Sequence, residues 1–456
     1  MRKMGAMLLL GACAWLLAPT SWAQPAPATA AVRPPQLRVL SQTASNGLRI
    51  VMLEDRTAPV VNLQVWYHVG SKDERPGRTG FAHLFEHLMF KGSAHVPPEQ
   101  HSRIIEAVGG FDNAYTFFDM TVYWQTFPSN YLERVIWLEA DRLGSLNVDE
   151  ANFKSEREVV KEERRSRYEN VPYGLVAEDI YAAAFTVHPY KHTPIGSMDD
   201  LNKATLEDVR DFFHTFYRPD NATMVVVGDF TPAEAVRWVE KYFAGIPRPA
   251  PPIPRVSIQE PPQQAERRLT KTYSNTPLPA VIEAYQLPAL FTPDSYPLDL
   301  LSNILSRGQS SRLYRKLVYE DRVAIQAVGF GLFTEDPNLF WALAVMNQGK
   351  TAADGEKAMD AVLEQIKTQA VDAKELEKAK NQVVSSFLLG RQTAQQKADA
   401  LGRYAVLGKD VSLINTDLDR YMKVTAADIE RVAREYFVAG RRTVLVVEPP
   451  KPPEKK

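Results

Sequence analysis

The chain has 456 residues, of which 45% are apolar and 24% are charged. This length and composition are typical of a globular protein with two or more domains, each with its own core. The formal net charge is −1. Because there is no excess of basic residues to neutralise phosphates, the composition argues against a nucleic-acid-binding protein.

The first 23 residues have the features of a secretory signal peptide. A basic start, MRK, precedes an apolar run and the small-x-small site SWA, which ends at Ala23. We therefore expect export to the periplasm and a mature chain that begins near Gln24. The alternative is a lipoprotein anchor at Cys13, because LGAC at 10–13 resembles a lipobox. The apolar core continues well past Cys13, which favours cleavage after Ala23.

Cysteine usage restricts the chemistry of any metal site. Cys13 is the only cysteine, so cleavage after Ala23 leaves a mature chain without thiols. A disulfide framework and a thiolate site are then excluded, and any metal must be bound by His, Asp or Glu. No later segment approaches the roughly 20 apolar residues that a membrane-spanning helix needs, so we expect no membrane span.

Proline-rich segments divide the rest of the chain into two parts of similar length. The segments rich in proline and alanine are typical of linkers and tails rather than of packed structure. The predicted organisation is a signal peptide at 1–23, a flexible leader at 24–37, a first domain at 38–246, a linker at 247–266, a second domain at 267–447 and a disordered tail at 448–456.

The two predicted domains resemble one another in sequence. The segment KATLEDVRDFFHTFYRPDNATMVVVG, from Lys203, matches KVTAADIERVAREYFVAGRRTVLVVE, from Lys423, without gaps and at a constant offset of 220 residues. In each copy a Thr, followed three residues later by an Asp, starts an amphipathic helix that leads into a β-branched strand. The match indicates an internal duplication, and the predicted class is α+β or mixed α/β in two similar domains.

One short run, HLFEH, has the spacing of a metal site. On an α-helix, His83 and His87 lie one turn apart on the same face, with Glu86 beside them. Two histidines and a carboxylate form a common ligand set for catalytic zinc, which keeps a fourth position open for water. A nearby carboxylate that is not a ligand can take the proton of that water. Glu86 has the right position for this role.

A third ligand must come from another element, and the run NFKSEREVVKEERRSRYEN is rich in acids. Its glutamates are Glu156, Glu158, Glu162 and Glu163. Glu156 and Glu163 are seven residues apart, which places them two turns apart along one face of a helix. The alternative is a solvated charged helix with internal Glu–Arg pairs, and the spacing alone does not decide between the two.

The HLFEH run and SEREVVKEE together resemble the inverzincin pattern of the pitrilysin, insulysin and mitochondrial processing peptidase family. Further similar segments are GGFDNAYTFFDMTVYW at 109–124, HPYKHTPIGS at 188–197 and LSNILSRGQSSRLYRKL at 301–317. In that family the third ligand follows the second histidine by 76 or 77 residues, which corresponds here to Glu163. The resemblance therefore implies that His83, His87 and Glu163 bind one Zn²⁺ per chain. It further implies that Glu86 is the general base and that Glu156 orients a ligand histidine.

The resemblance also implies a fold and a way to hold substrate. Each half is expected to be a mostly antiparallel sheet flanked by helices, and the halves are expected to close like a clamshell around a chamber for small or unfolded peptides. The first domain then binds zinc and the second is inactive. Asn113, Ala114, Tyr115 and Thr116 are expected to form an exposed strand edge, to which a peptide adds as another strand. Taken alone, the same residues also suit a plain edge strand with aromatic core contacts.

The second half departs from the family pattern. Active members carry an Arg and a Tyr, seven residues apart, that hold the substrate carbonyl opposite the zinc. Here the same register of KLVYEDRVAIQA places Val318 and Ile325 at those positions, and neither can donate a hydrogen bond to an oxyanion. Arg312 and Tyr319 are also seven residues apart but lie one register too early. The counterpart of the metal helix, at 301–313, has no histidine, so we expect one metal per chain.

Two-chain members of the family exist in which one subunit carries zinc and a related subunit carries the Arg/Tyr pair. The resemblance therefore implies a zinc metalloendopeptidase for peptides or unfolded segments that is the zinc-bearing subunit of a heterodimer and is weak or inactive alone. The alternative is a non-catalytic scaffold or peptide-binding subunit. Glu86 argues for the enzyme, because a scaffold does not need a general base. The ligand set does not distinguish zinc from manganese or cobalt.

Overall fold

The computed structural model describes residues 34–450. The predicted signal peptide, the alternative anchor at Cys13, residues 24–33 of the leader and residues 451–456 of the tail lie outside these residues. Two β-sheets form the framework. The strands are β1 (Leu40–Thr43), β2 (Arg49–Glu54), β3 (Val60–Tyr67), β4 (Phe111–Thr116), β5 (Thr121–Pro128), β6 (Ala222–Gly228), β7 (Arg267–Thr272), β8 (Ala280–Gln286), β9 (Ala324–Gly331), β10 (Leu339–Met346) and β11 (Thr443–Glu448).

The two sheets share a five-strand topology, and the first sheet has β1 as an additional edge strand. The first has the order β1-β2-β6-β3-β5-β4 and the second the order β7-β11-β8-β10-β9. In each sheet one neighbouring pair is parallel, β2 with β6 and β7 with β11. The other pairs are antiparallel. The predicted fold class, two similar domains with mostly antiparallel sheets flanked by helices, is therefore confirmed.

Helices precede, follow and connect the strands in both domains. The helices of the first part are α1 (Phe81–Leu88), α2 (Gln100–Glu106), α3 (Leu132–Ser145), α4 (Glu150–Arg164), α5 (Val176–Ala184), α6 (Met198–Lys203), α7 (Leu206–Phe216) and α8 (Pro232–Phe243). Those of the second part are α9 (Ser295–Ser306), α10 (Ala352–Thr368), α11 (Ala373–Leu389), α12 (Ala394–Val406), α13 (Leu413–Lys423) and α14 (Ala426–Tyr436). Within residues 34–450 no helix combines the length and the apolar character that crossing a membrane requires.

The duplicated segment forms the same structure twice. Thr205 begins α7 and Thr425 begins α14, each with a reciprocal capping box to an aspartate three residues later. The Thr205 hydroxyl accepts the Asp208 N–H at 3.2 Å, and the Asp208 carboxylate accepts the Thr205 N–H at 3.1 Å. Each box satisfies two backbone groups that a helix start leaves unpaired. The predicted helix starts are confirmed.

One helix of each domain packs against the sheet of the other domain. Helix α12 of the second domain covers the face of the first sheet that carries Trp66 and Val225. Its close approach requires a glycine, because a Cβ on Gly402 would lie 2.0 Å from the Trp66 ring. Conversely, α5 of the first domain packs Ile180 and Tyr181 against the second sheet. The two domains therefore share their apolar cores, although a segment without helix or strand joins them.

A buried ionic cluster also joins the domains. The Lys72 side chain is only 6% exposed and lies among Asp119 of the first domain and Glu335 and Asp336 of the second. Its Nζ is 3.0 Å from Asp119 Oδ1, 2.8 Å from Glu335 Oε2 and 2.9 Å from Asp336 Oδ2. These carboxylates keep the pKa of Lys72 above its ordinary value even though burial opposes the charge. One ammonium group thus ties a loop of the second domain to the first.

Candidate metal centre

Specific contacts fix the N-terminus of helix α1, which carries His83 and His87. Gly80 precedes the helix with φ +91°, a conformation that favours glycine. The buried Glu74 carboxylate accepts the N–H of Gly80 and the N–H of Ala82, both at 2.8 Å. His192 Nε2 lies 2.9 Å from the same carboxylate. A negative group at this end satisfies free N–H donors and complements the helix dipole, so the start of the helix is fixed close to His83.

The predicted ligand atoms converge. Glu163, from α4, places its Oε2 3.3 Å from His87 Nε2 and 3.7 Å from His83 Nε2. The two imidazole rings are nearly perpendicular, at 88°, with centroids 4.9 Å apart. One donor atom from each of the three residues lies within 4.8 Å of the others. The residues 76 positions apart in sequence are therefore neighbours in the fold, and the alternative of a merely solvated acidic helix does not describe Glu163.

This arrangement suits a tetrahedral zinc ion. Ligands about 2.1 Å from a metal in tetrahedral geometry are separated from each other by about 3.4 Å. The contacts from Glu163 to the two histidines, at 3.3 and 3.7 Å, lie close to that separation. Two imidazoles and one carboxylate also match a known donor set for catalytic zinc. The residues present therefore fit the metal that the sequence pattern implies.

The two histidines differ in their electrostatic surroundings. Burial and the neighbouring His87 lower the pKa of His83 to about 4, so its imidazole is neutral near pH 7 and has a lone pair to offer. For His87 burial acts in the same direction, but Glu156 and Glu163 outweigh it and raise the pKa to about 9. A metal that binds at His87 must therefore displace a proton, which makes metal affinity dependent on pH.

Outer partners hold two of these groups in place. Glu156 is 4% exposed, and its Oε2 lies 3.3 Å from His87 Nδ1, on the side of the ring away from Glu163. Lys91 Nζ lies 2.9 Å from Glu156 Oε1. Glu156 is therefore outside the ligand set and is placed to orient His87, as the resemblance implies. Arg167 donates from Nη1 to Glu163 Oε1 at 2.6 Å, which leaves Oε2 directed at the histidines.

The sequence-based reasoning missed Arg167 as part of the site. Its signal is the i,i+4 spacing from Glu163, which also describes any ordinary surface ion pair. The side chain is 74% exposed, but the residue lines the same cavity as the metal ligands, as does the adjacent Tyr168. Arg167 follows the C-terminus of α4, and only the packing of α4 on α1 distinguishes this pair from an exposed pair such as Glu162–Arg165.

Glu86 lies beside the candidate ligands and does not belong to their set. Burial raises the pKa of its carboxyl above the ordinary value. Thr116 Oγ1 donates to Glu86 Oε2 at 2.7 Å. One carboxylate oxygen is therefore held by the edge strand β4, and the orientation of the group is set before any substrate binds. A buried carboxyl with a raised pKa holds a proton more readily than an exposed one, which suits a group that must accept and return a proton.

The predicted substrate-binding residues lie on β4 at the edge of the first sheet. Among residues 34–450, β4 pairs with β5 on one side and with no strand on the other. Asn113, Ala114, Tyr115 and Thr116 all line one cavity of about 1050 Å³ with the metal ligands. Thr116 has a second role that the sequence did not indicate, because its hydroxyl binds Glu86.

The second domain forms the opposite wall of this cavity from apolar side chains and one amide. Its lining residues are Ala280, Ile282, Gln326, Phe330, Leu332, Trp341, Leu343 and Val345. Ile325 is 54% exposed on β9 and lies outside the cavity lining, as does Val318. Arg312 donates to Glu375 at 2.9 and 2.6 Å, and Tyr319 is 73% exposed. Neither serves in place of an Arg/Tyr pair at the candidate metal centre.

Comparison with known proteins identifies the family. The family model described as "Insulinase (Peptidase family M16)" matches residues 49–197, and that described as "Peptidase M16 inactive domain" matches residues 203–383. The zinc protease PqqE of Helicobacter pylori is 34% identical over 413 residues, which are 90% of this chain and 92% of the relative. A probable mitochondrial-processing peptidase subunit beta of Arabidopsis thaliana is 25% identical and aligns with 88% of this chain and 76% of its own.

A solved structure agrees with the sequence relatives. The crystal structure of a protease from Helicobacter pylori superposes with a TM-score of 0.88 at 32% identity, and the match covers 91% of this chain and 100% of that one. The sequence pattern, the repeated sheet topology and the relatives lead to one assignment. The chain belongs to peptidase family M16.

Proposed function

We propose that this protein is a zinc metalloendopeptidase that hydrolyses peptides or unfolded segments, and that it is the zinc-bearing subunit of a heterodimer. The observation that carries the proposal is the convergence of His83, His87 and Glu163, with Glu86 held beside them at a strand edge. Relatives named zinc protease and mitochondrial-processing peptidase support the peptidase class.

The first domain supplies candidate metal ligands and a general base for the hydrolytic step. A zinc ion bound by His83, His87 and Glu163 would act as a Lewis acid and lower the pKa of a bound water. Glu86 accepts the proton of the attacking water and passes it to the leaving amine. Thr116 restrains the Glu86 carboxylate, and Glu156 restrains the His87 ring.

The open edge of β4 holds the substrate. A peptide that adds to Asn113–Thr116 as a strand pairs through its backbone, which carries little information about sequence. Pairing of this kind requires an extended segment, so folded proteins are excluded and small or unfolded peptides are accepted. The position of Thr116 links the two functions, because the same strand restrains Glu86 and borders the peptide.

A related second chain would complete the site. The second-domain wall of the cavity offers the Gln326 amide and the Trp341 indole N–H as side-chain donors, and no arginine or tyrosine among residues 34–450. A developing oxyanion then lacks an Arg/Tyr pair on this wall, and such donors often contribute several kcal/mol to catalysis. A mitochondrial-processing peptidase relative is named as a subunit, which is consistent with a paired assembly. The N-terminal features support export, so we propose that the complex is periplasmic; the alternative is an anchor at Cys13.

The test is metal analysis together with a substitution of the base. We expect about one zinc per chain, and peptide cleavage that rises when the related subunit, captured from the source cell, is added. Glu86→Gln should retain zinc and lose about 100-fold or more of the activity. Glu162→Gln, at a 68% exposed side chain of α4, is the matched control and should change neither.

Two outcomes would contradict the proposal. A chain that binds no stoichiometric zinc would instead be the non-catalytic scaffold or peptide-binding subunit. Full activity of the purified single chain would remove the need for a partner. Metal exchange during the same measurements shows whether manganese or cobalt replaces zinc, since the ligand set accepts all three.

A further inference from the structure

A short loop touches both helices that carry the candidate metal ligands. Residues 192–197, with the sequence HTPIGS, lead into α6, and Ser197 is the N-cap of that helix. We call this segment the bridging loop. Thr193, Pro194 and Ile195 line the cavity of the metal centre. The bridging loop contributes no residue to the candidate ligand set, so it can act on a bound metal only through the helices that it contacts.

One side of the bridging loop packs directly on the start of α1. Gly196, at φ +71°, lies against Gly80, the N-cap of α1, and a Cβ added to Gly196 would overlap the backbone of Gly80. Conversely, a Cβ added to Gly80 would lie 2.9 Å from the Ile195 carbonyl oxygen. Only backbone without a side chain fits at this contact, which is made three residues before His83.

Hydrogen bonds hold the two ends of the bridging loop at the same place. At its C-terminal end the Ser197 N–H donates to Thr79 Oγ1 at 3.0 Å, and the Thr79 hydroxyl donates to Asp200 Oδ2 at 2.6 Å. At its N-terminal end His192 Nε2 lies 2.9 Å from Glu74 Oε2, in the carboxylate that accepts the first N–H groups of α1. Both ends are therefore attached to the segment that starts α1.

The other side of the bridging loop is held by the end of α4. Arg164 is the last residue of α4, directly follows Glu163 and is only 6% exposed. Its Nη1 donates to the Gly196 carbonyl at 2.6 Å. The same guanidinium donates to the carboxylates of Glu178, at 2.8 and 3.1 Å, and of Glu169, at 3.1 Å. These partners fix the planar group in one orientation.

A single residue therefore connects the two helices. The Cα of Gly196 rests against the N-cap of α1, and its carbonyl is bound by the residue that follows Glu163. Because the dimensions of one backbone residue are fixed, these two contacts hold the helix ends at a fixed separation. That separation accompanies distances of 3.3 and 3.7 Å from Glu163 Oε2 to the two histidines, which suit a tetrahedral metal.

We infer that Gly196 and Arg164 are positioning residues of the metal centre: together they set the separation of α1 from α4, and thereby the distance from Glu163 to the two histidines. The inference rests on the proposed function, because it concerns the geometry in which zinc is bound. It deepens that function by extending the metal centre to a loop that supplies no ligand.

The first test compares two glycines with the same backbone conformation. Gly196 has φ +71° and Gly77 has φ +76°, so alanine introduces similar backbone strain at both. Among residues 34–450, no atom beyond the chain neighbours lies within 4 Å of a Cβ added at Gly77. Gly196→Ala should lower zinc affinity about tenfold, because the new Cβ pushes the bridging loop away from α1. Gly77→Ala should leave zinc affinity unchanged, as measured by competition with a chelator.

The second test compares two buried arginines, each bound to several carboxylates. Arg442, in the second domain, is 5% exposed and lies 2.7 Å from Glu356 and 3.0 Å from Glu266. Arg164→Lys and Arg442→Lys keep the positive charge, but an ammonium group cannot reproduce the forked hydrogen bonds of a guanidinium. Both changes should lower the midpoint of urea unfolding. Only Arg164→Lys should also weaken zinc binding, again about tenfold.

Cobalt reports on geometry, which a merely stabilising role would not change. The same ligand set accepts Co²⁺, and the visible absorption of this ion depends on the number and arrangement of its ligands. We expect the Co²⁺ spectra of the Gly196→Ala and Arg164→Lys chains to differ from that of the parent chain, and the spectra of the Gly77→Ala and Arg442→Lys chains to match it. All measurements use the full mature chain in the absence of urea, with folding verified by circular dichroism.

The outcomes separate the inference from the proposed function. If the parent chain binds zinc, and folded Arg164→Lys keeps both the parent affinity and the parent Co²⁺ spectrum, the inference is wrong and the proposed function stands. The same conclusion follows if Arg442→Lys weakens zinc binding as much as Arg164→Lys. Should Gly196→Ala fail to fold, the two arginine variants decide the question. If the parent chain binds no zinc, the proposed function is wrong and the inference is wrong with it.

Discussion

The two domains have the same framework and different side chains at one position within it. In the first domain α1 packs against α4 and the edge strand β4; in the second α9 packs against α11 and the edge strand β9. Helix α1 presents two histidines and a glutamate to its neighbours, whereas α9 presents Leu301, Ile304 and Leu305 to an apolar core. The second domain has the same framework with apolar side chains in place of the metal residues, so the site is an addition to the fold and not a condition for its packing.

The second domain also contains a converging set of acids, with a different outcome. Glu283, Glu356 and Asp360 place carboxylate oxygens close enough together to hold an ion. The Arg442 guanidinium lies among them, at 3.1 Å from Glu283, 2.7 Å from Glu356 and 2.5 Å from Asp360. A cation of the protein itself therefore balances these acids. In the first domain, the point at the centre of the equivalent cluster is surrounded by the imidazoles of His83 and His87 and the carboxylate of Glu163.

The largest expected effect tests this contrast directly. Glu163→Gln removes one ligand, so zinc affinity should fall by more than the 10- to 100-fold that follows loss of an outer partner. Glu356→Gln is the second-domain counterpart and should leave zinc affinity and a stoichiometry of one unchanged. Competition with a chelator of known affinity measures both variants. Zinc loss in the Glu356 variant would show that the two clusters do not differ as described.

The next largest expected effect concerns the buried ionic cluster around Lys72, which joins the two domains. Lys72→Met leaves the fully buried Asp119 without a cation, whereas Glu335 keeps His68 at 2.7 Å and Asp336 keeps His188 at 3.5 Å. Unpaired buried charge typically costs about 3–5 kcal/mol, so the midpoint of urea unfolding should fall substantially. Lys316→Met removes an exposed lysine that pairs with Asp321 and should leave the midpoint unchanged. Equal midpoints for the two variants would mean that the buried cluster does not hold the domains together.

The smallest effect sharpens the description of the metal centre. Arg167→Ala removes the donor to Glu163 Oε1, so the carboxylate is less restrained and zinc affinity should fall several-fold, toward the lower end of outer-partner effects. Arg165→Ala, two residues away, removes an exposed pair with Glu162 and is the control. If both variants bind zinc like the parent chain, Arg167 forms only an ordinary surface ion pair.

Local patterns were sufficient for several features. The capping boxes at Thr205 and Thr425 and the common face of His83 and His87 depend on residues three or four apart, whose relative positions a helix determines. The choice of Glu163 among four nearby glutamates required the family resemblance. Spacing along α4 could not make that choice, because it is equally compatible with an exposed charged helix.

Other features depend on elements that are distant in sequence. Arg167 became part of the site only because α4 packs on α1, and Thr116 restrains Glu86 only because β4 borders that helix. The packing of α5 and α12 on the sheet of the other domain has no local signal. Patterns of apolar residues indicate that a helix has a buried face and do not indicate which sheet covers it.

By itself the sequence determined the repeat and the helix that carries His83, Glu86 and His87. The family resemblance selected Glu163, and the tertiary structure showed that it meets the histidines. The tertiary structure alone decided what holds each ligand in place and that the β4 edge borders the cavity of the metal centre. The physical reason is the separation along the chain between the residues that interact. Periodicity and capping act over one or two helical turns, whereas convergence of groups 76 residues apart depends on how whole helices and sheets pack.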